Sequence, residues 1–218
     1  MRKTWKTQLG WWFSRSIALL LLLIVVALVA LRLRYGGGPD LPVHNYGEPS
    51  VAAMQKVADL KYPPGNIAVS SEGRVFLTLH PEGKPATKVA EWVGGEARPF
   101  PDSSWQNSKE RRVHFQSPLA LRLDTARNRL WVLDNANHGF GQPRLLAFDI
   151  TSRKLIHQFD FSAELAPKGS HLNDFQISPD GRVIYIADAS ILGLKPALLV
   201  FDLKTNTARR LLESHESV

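Results

Sequence analysis

One stretch of this chain occurs three times, and the spacing of the copies restricts the fold more than any other feature. Leu121 through Asp134 lies over Phe175 through Asp188 at an offset of 54, with no gap. Leu145 through Asp149 lies over Leu198 through Asp202 at an offset of 53, and both are followed by polar turn residues. An earlier copy, Ile67 through Thr78, precedes the second by 54 in its first half and by 55 after a turn one residue shorter. Each copy reads as alternating or β-rich runs separated by turn residues, four strands to the unit. Four antiparallel strands recurring at about 40–55 residues describe a propeller blade. The expected class is all-β, a β-propeller of about three four-stranded blades over residues 55–218, out of a six-bladed ring. Propellers close with roughly four to eight blades. The expectation is therefore a piece of a longer protein, or two copies completing one ring, with end faces that self-associate.

The N-terminal region obeys different rules. From Ser16 to Leu31 no side chain is charged, and all after Ser16 are Ala, Val, Ile or Leu. Such a run predicts one transmembrane helix over 16–34, lengthened toward Trp11, Trp12 and Phe13 when Arg15 reaches the headgroups. Arg2, Lys3, Lys6 and Arg15 precede it and Arg32 and Arg34 follow. This asymmetry places residues 1–15 in the cytoplasm and the body outside, periplasmic or extracellular, with residues 35–54 as a glycine-bearing linker. A cleaved, secreted form is the alternative, but with Ala30 at the cleavage site Leu28 stands where a small residue is needed.

Charge then narrows the partners. The net charge of +7 belongs to the N-terminal segment ending at Arg34, since the rest of the chain carries 21 basic against 20 acidic side chains. A body so balanced has no phosphate-tracking composition, and nucleic acid is not an expected partner. With no cysteine, thiol nucleophiles, thiolate metal sites and disulfides are excluded. No Gly-x-Ser-x-Gly, Walker, His-Glu-x-x-His or dinucleotide motif is present.

The repeat register supplies candidate site residues. Asn66 and Asp174 are separated by two full periods, so both occupy the same place just before the innermost strand and face the axis. Asn173 adjoins that place, and oxygen ligands converging from several blades suit Ca²⁺ or another divalent cation. Asp134 and Asp188 stand at matching ends of the second strand, on one rim, with His138 in the following loop and His171 just before Leu172. These four are the candidate ligand-binding residues at the channel mouth. The competing reading for Asp134, Asp188, Asn173 and Asp174 is the capping of turns through backbone N–H groups. Asp149 and Asp202 are expected to be turn residues, and Phe76, Trp131, Tyr185, Phe148 and Phe201 to pack between blades.

Pro63 through Ser70, Arg74 through Thr78, Asn128 through Asp134, Leu145 through Asp149, Leu172 through Phe175 and Tyr185 through Asp188 together resemble the major royal jelly protein and yellow family in its bacterial form. The resemblance covers about residues 55–212, corresponds to the N-terminal half of that family's six-bladed propeller, and departs at Asn135-Ala136. More distantly the chain is similar to gluconolactonase-type propellers, in which axial asparagine and carboxylate groups hold a divalent cation. The resemblance implies a membrane-anchored propeller that binds a small organic ligand, with a metal-dependent lactonase-like hydrolase or isomerase as the alternative; no catalytic residue is assigned.

Overall fold

The computed structural model describes residues 5–35, 56–107, 112–213 and 215, with side chains from residue 12 onward in the first stretch. Residues 1–4 of the expected cytoplasmic segment and 36–54 of the expected linker lie outside the described residues. The chain divides into two units, Met1–Gln55 and Lys56–Val218.

In the first unit a single helix, α1, runs Trp5–Tyr35. Its segment Trp12–Arg34 is 23 residues long and contains an 18-residue window with a mean hydropathy of 2.9. At 1.5 Å per residue that is about 34 Å, enough for a hydrocarbon core of about 30 Å. Apolar side chains surround α1 rather than forming a stripe, and none of the segment is buried against protein. Length and apolar composition suit this segment to cross a membrane, a test that a signal sequence near the N-terminus also passes.

The second unit is three four-stranded antiparallel sheets, each a meander. Blade 1 is β1 (Pro64–Val69), β2 (Val75–Leu79), β3 (Val89–Val93) and β4 (Glu96–Pro99). Blade 2 is β5 (Pro118–Asp124), β6 (Arg129–Asp134), β7 (Arg144–Asp149) and β8 (Leu155–Asp160). Blade 3 is β9 (Leu172–Ile177), β10 (Val183–Asp188), β11 (Ala197–Asp202) and β12 (Thr207–Leu211). The all-β propeller expectation is met, and the repeat register holds pair by pair: Asn66 faces Thr78, Ala120 faces Leu133, and Asp174 faces Ala187. The first strands β1, β5 and β9 lie side by side as the inner edge of the array.

Strand alternation sends side chains to two faces of each blade. Blade 2 turns Leu121, Leu130, Val132, Leu146 and Phe148 onto blade 1, where they meet Phe76, Phe100, Trp105 and Phe115. Phe148 contacts Phe100 and Trp105 edge to face at 5.9 and 4.9 Å. The opposite face of blade 2, with Trp131, Leu133 and Leu145, packs on Phe175, Ile184, Ile186, Leu199 and Phe201 of blade 3. Glu91, 5% exposed, is held in the blade 1–blade 2 region by Arg74 Nε at 2.7 Å and Arg153 Nη2 at 2.6 Å. A glycine is needed at residue 65, where a Cβ would stand 2.7 Å from Thr78 Oγ1 and 3.1 Å from the Leu119 carbonyl.

One packing expectation needs correction. Phe76, Trp131, Phe148 and Phe201 are fully buried between blades, but Tyr185 is 44% exposed. Tyr185 is the register equivalent of Trp131, so it points away from blade 2, onto a face that no described residue covers.

Candidate functional site

The rim at the C-terminal ends of β6 and β10 is built by a carboxylate that recurs with the repeat, a place that Leu79 takes at the end of β2. Asp134 accepts hydrogen bonds from the backbone N–H of Gln116 (2.6 Å), Ser117 (2.8 Å) and Ala136 (3.0 Å). Asp188, one period on, accepts from the N–H of His171 (2.6 Å) and Ser190 (2.8 Å), from Ser170 Oγ (2.8 Å) and from Arg210 Nη1 (2.7 Å). Residues 116, 117 and 136 match 170, 171 and 190, so the same device closes both blades. Both carboxylates are buried, 0% and 3% exposed, with their oxygens turned to protein. The assignment of Asp134 and Asp188 as ligand contacts is therefore corrected: they tie the start of the inner strand to the end of its neighbour. Burial pushes the Asp134 carboxyl above its ordinary value, against the three amides and Arg144, which favour its charged form.

The clamp also shapes the turn beyond it. Ala136 and Ser190, each two residues past the carboxylate, have positive φ values of 51° and 42°. In blade 2 the left-handed conformation continues through Asn137 (56°), His138 (56°) and Gly139 (72°). Each such non-glycine residue costs about 1–2 kcal/mol, and the turn persists because its donors are paired. The N–H of Ala136 reaches Asp134, that of Asn137 reaches Ser117 Oγ, and those of Gly139 and Gly141 reach the carbonyls of Asn135 and Ala136. The turn is fastened to the next loop through Gly169 N–H donating to the His138 carbonyl at 2.9 Å.

This turn holds His138 against His171 of the neighbouring blade, ring centroids 4.7 Å apart and steeply inclined, at 64°. The buried Nδ1 atoms of both rings have no hydrogen-bond partner among the described residues. Together with His80, Ser117, Asn135 and Asn137 the two imidazoles line a cleft of about 230 Å³. Burial, then the neighbouring His138, lowers the His171 pKa, and the hydrogen bond to Asn173 opposes the shift. Larger hollows of about 410 and 330 Å³ lie against Leu60, Leu79 and Trp92 and against Ile67, Val75 and Leu77. Those residues form the blade 1 face equivalent to the one blades 2 and 3 bury, so these hollows are unfilled packing surface.

His138 and His171 thus come together as the sequence places them, and Asp134 and Asp188 stand behind them. Sequence reasoning missed His80, Asn135 and Ser117. His80 matches Asn135 at an offset of 55, the spacing of the first copy beyond its shorter turn, and that match was the available signal. Asn66 and Asp174 also converge, but on a side chain: Arg122 Nη1 donates to Asn66 Oδ1 at 2.8 Å and Nη2 to Asp174 Oδ2 at 2.6 Å. Asn173 is exposed beside them. A divalent cation does not fit this set, because its place between the two oxygens holds a positive charge. Among the described residues no group of three His, Asp or Glu side chains has the spacing of a metal site. Asp149 and Asp202 are turn residues, accepting from Ser152 N–H (2.6 Å) and Lys204 N–H (2.7 Å).

The sequence model of the family described as major royal jelly protein matches residues 116–216. Two curated honeybee (Apis mellifera) proteins are similar over 132 residues, or 53% of this chain: Major royal jelly protein 7 at 32% identity and Major royal jelly protein 6 at 30%. The chain covers 29% and 30% of their respective lengths. Among solved structures, hydrazine synthase of Kuenenia stuttgartiensis aligns with 71% of this chain and 37% of its own at 18% identity, with a TM-score of 0.44. The resemblance to the major royal jelly protein and yellow family therefore holds; the family model itself matches blades 2 and 3, within residues 116–216.

Proposed function

We propose that this chain displays a propeller on the outer side of a membrane, held there by α1, and that the rim cleft where blades 1, 2 and 3 meet binds a small polar organic molecule. The observation that carries the reading is the pair of imidazoles from neighbouring blades whose buried Nδ1 atoms have no partner among the described residues. Buried polar atoms are ordinarily paired, so two such atoms facing one cleft favour a ligand that completes them. The imidazoles and the amides of Asn135 and Asn137 offer both donors and acceptors, which suits hydroxyl and carboxyl groups on the ligand. The strained turn at Ala136–His138 supports the same reading, since conformational strain collects where a side chain must be aimed. The charge asymmetry about α1 supports the outward orientation.

A thermal-shift screen of small hydroxy and carboxy compounds, run on the full chain in mild detergent, tests the reading. A true ligand raises the melting temperature by mass action. His138→Ala and His171→Ala should each abolish the shift, and Asp149→Ala, distant from the rim, should keep it. Hits equally strong on all three variants would overturn the assignment of the cleft.

A further inference from the structure

Three blades carry three different residues at one inner-strand place, Asn66, Ala120 and Asp174, and the difference is chemically ordered. Blades 1 and 3 supply an oxygen there, and blade 2 supplies a methyl group. Two residues farther along, the pattern reverses: blades 1 and 3 have the uncharged Ala68 and Gln176, and blade 2 has Arg122. The blade without an oxygen brings the cation, and its small Ala120 leaves room for the guanidinium to lie between the neighbours. Nη1 donates to Asn66 Oδ1 and to the Leu121 carbonyl, both at 2.8 Å, while Nη2 meets Asp174 Oδ2 at 2.6 Å. The guanidinium carbon also stands 5.8 Å from the centre of the Phe175 ring. The Arg122 side chain is 22% exposed and that of Asp174 44%, so the pair is partly shielded from solvent.

We propose that Arg122 is a built-in cation that ties the inner strands of all three blades together, so that the axial oxygens need no metal ion. A guanidinium suits this role: it is planar, always charged, and divides its donors among several acceptors in a fixed fork. It differs from a bound ion in one testable respect, since a residue cannot be removed by a chelator. The axial assembly is accordingly independent of divalent ions, and chemistry that depends on a cation held by Asn66 and Asp174 is excluded by the arginine between them.

The experiment compares wild type, Arg122→Lys, Arg122→Met, Asp174→Asn and the Met/Asn double variant, each as full chain in mild detergent. Melting is followed with added Ca²⁺ and with a chelator. Wild type should melt at the same temperature in both. Arg122→Met should melt lower, since it keeps the aliphatic stem and strands the Asp174 carboxylate. Arg122→Lys should recover part of that loss by restoring the charge without the fork. The double variant should lose less than the two single losses combined, because with both charges removed neither is left without its partner. A wild-type melting temperature that rises with Ca²⁺, with the increment lost in Asp174→Asn, would overturn the proposal in favour of a metal site. Strict additivity, or Arg122→Lys no better than Arg122→Met, would overturn it by showing that Arg122 contributes only packing against Phe175. If Arg122→Met does not fold, the wild-type response to Ca²⁺ and the Arg122→Lys and Asp174→Asn variants still decide the question.

Discussion

Replacing Asp134 with alanine tests whether the recurring carboxylate closes a blade. The substitution removes the acceptor for three backbone N–H groups at 2.6, 2.8 and 3.0 Å, at a residue with 0% exposure. A buried donor left unsatisfied costs about 1–3 kcal/mol. Three of them would sum to about 3–9 kcal/mol, but relief of the carboxylate's own desolvation and water entering the vacated space bring the expected net loss to about 3 kcal/mol. For a unit of this size about 1 kcal/mol moves the melting temperature by about 2–4 °C, so the expected drop is about 6–12 °C. Asp134→Asn keeps one acceptor and turns an amide N–H₂ toward Gln116 or Ser117, so it should fall between wild type and alanine. Tryptophan fluorescence of the full chain in mild detergent reads the transition, because Trp131 and Trp105 are buried beside the blades the clamp closes. If Asp134→Ala melts within about 3 °C of wild type, or together with Asp149→Ala, the clamp does not hold the rim and the argument from burial is wrong.

Glu91→Gln, which leaves the partly exposed Arg74 and Arg153 without their shared carboxylate at the blade 1–blade 2 region, should destabilise the chain by about 1–3 kcal/mol, checked by the same melts. Burial depresses the pKa of both His157 and His171, so the folded chain binds protons less readily than the unfolded one. The contribution of these two histidines to stability should be level above about pH 6.5 and decline as pH falls from there to the depressed values, and His171→Gln and His157→Gln should each flatten part of that decline in a pH series of melting curves. Gly139→Ala places a Cβ 2.8 Å from the Pro167 carbonyl at a φ of +72°, and should both lower stability and abolish ligand-induced shifts that depend on His138. A reporter fused after Gly38 should be active outside the cytoplasm, and activity inside would reverse the orientation read from the charges about α1.

The register of the blades was legible because strand alternation and the repeat are both written in side-chain type: Leu121, Phe148, Ile184 and Phe201 recur at fixed intervals and are buried where the period puts them. The convergence of Asn66 and Asp174 was legible for the same reason. What they converge on was not, because Arg122 acts two residues from the place it fills, and the reach of a long side chain has no signature in a period. Asp134 and Asp188 were correctly placed on the rim yet misjudged in role. A strand-end carboxylate is the same letter whether its oxygens face water or three amides, and only burial separates the two. His80 escaped notice because the shorter turn in blade 1 shifts it by one residue, and because Leu79 replaces the aspartate that marks the same place in blades 2 and 3.

Asp134 reads almost nothing but main chain, and main chain is common to every amino acid. At the places it and Asp188 grip, blade 2 has Gln116, Ser117 and Ala136 where blade 3 has Ser170, His171 and Ser190; the amides of 117 and 136 recur as those of 171 and 190, while the Gln116 amide gives way to the Ser170 hydroxyl and Arg210. The rim is thus a socket whose fastening is blind to its fittings. At the places gripped through main chain the side chain is free to differ, His171 carrying an imidazole where Ser117 carries a hydroxyl, without loosening the strand ends that present them. Within one chain, then, the same amide fastening presents a hydroxyl at Ser117 and an imidazole at His171.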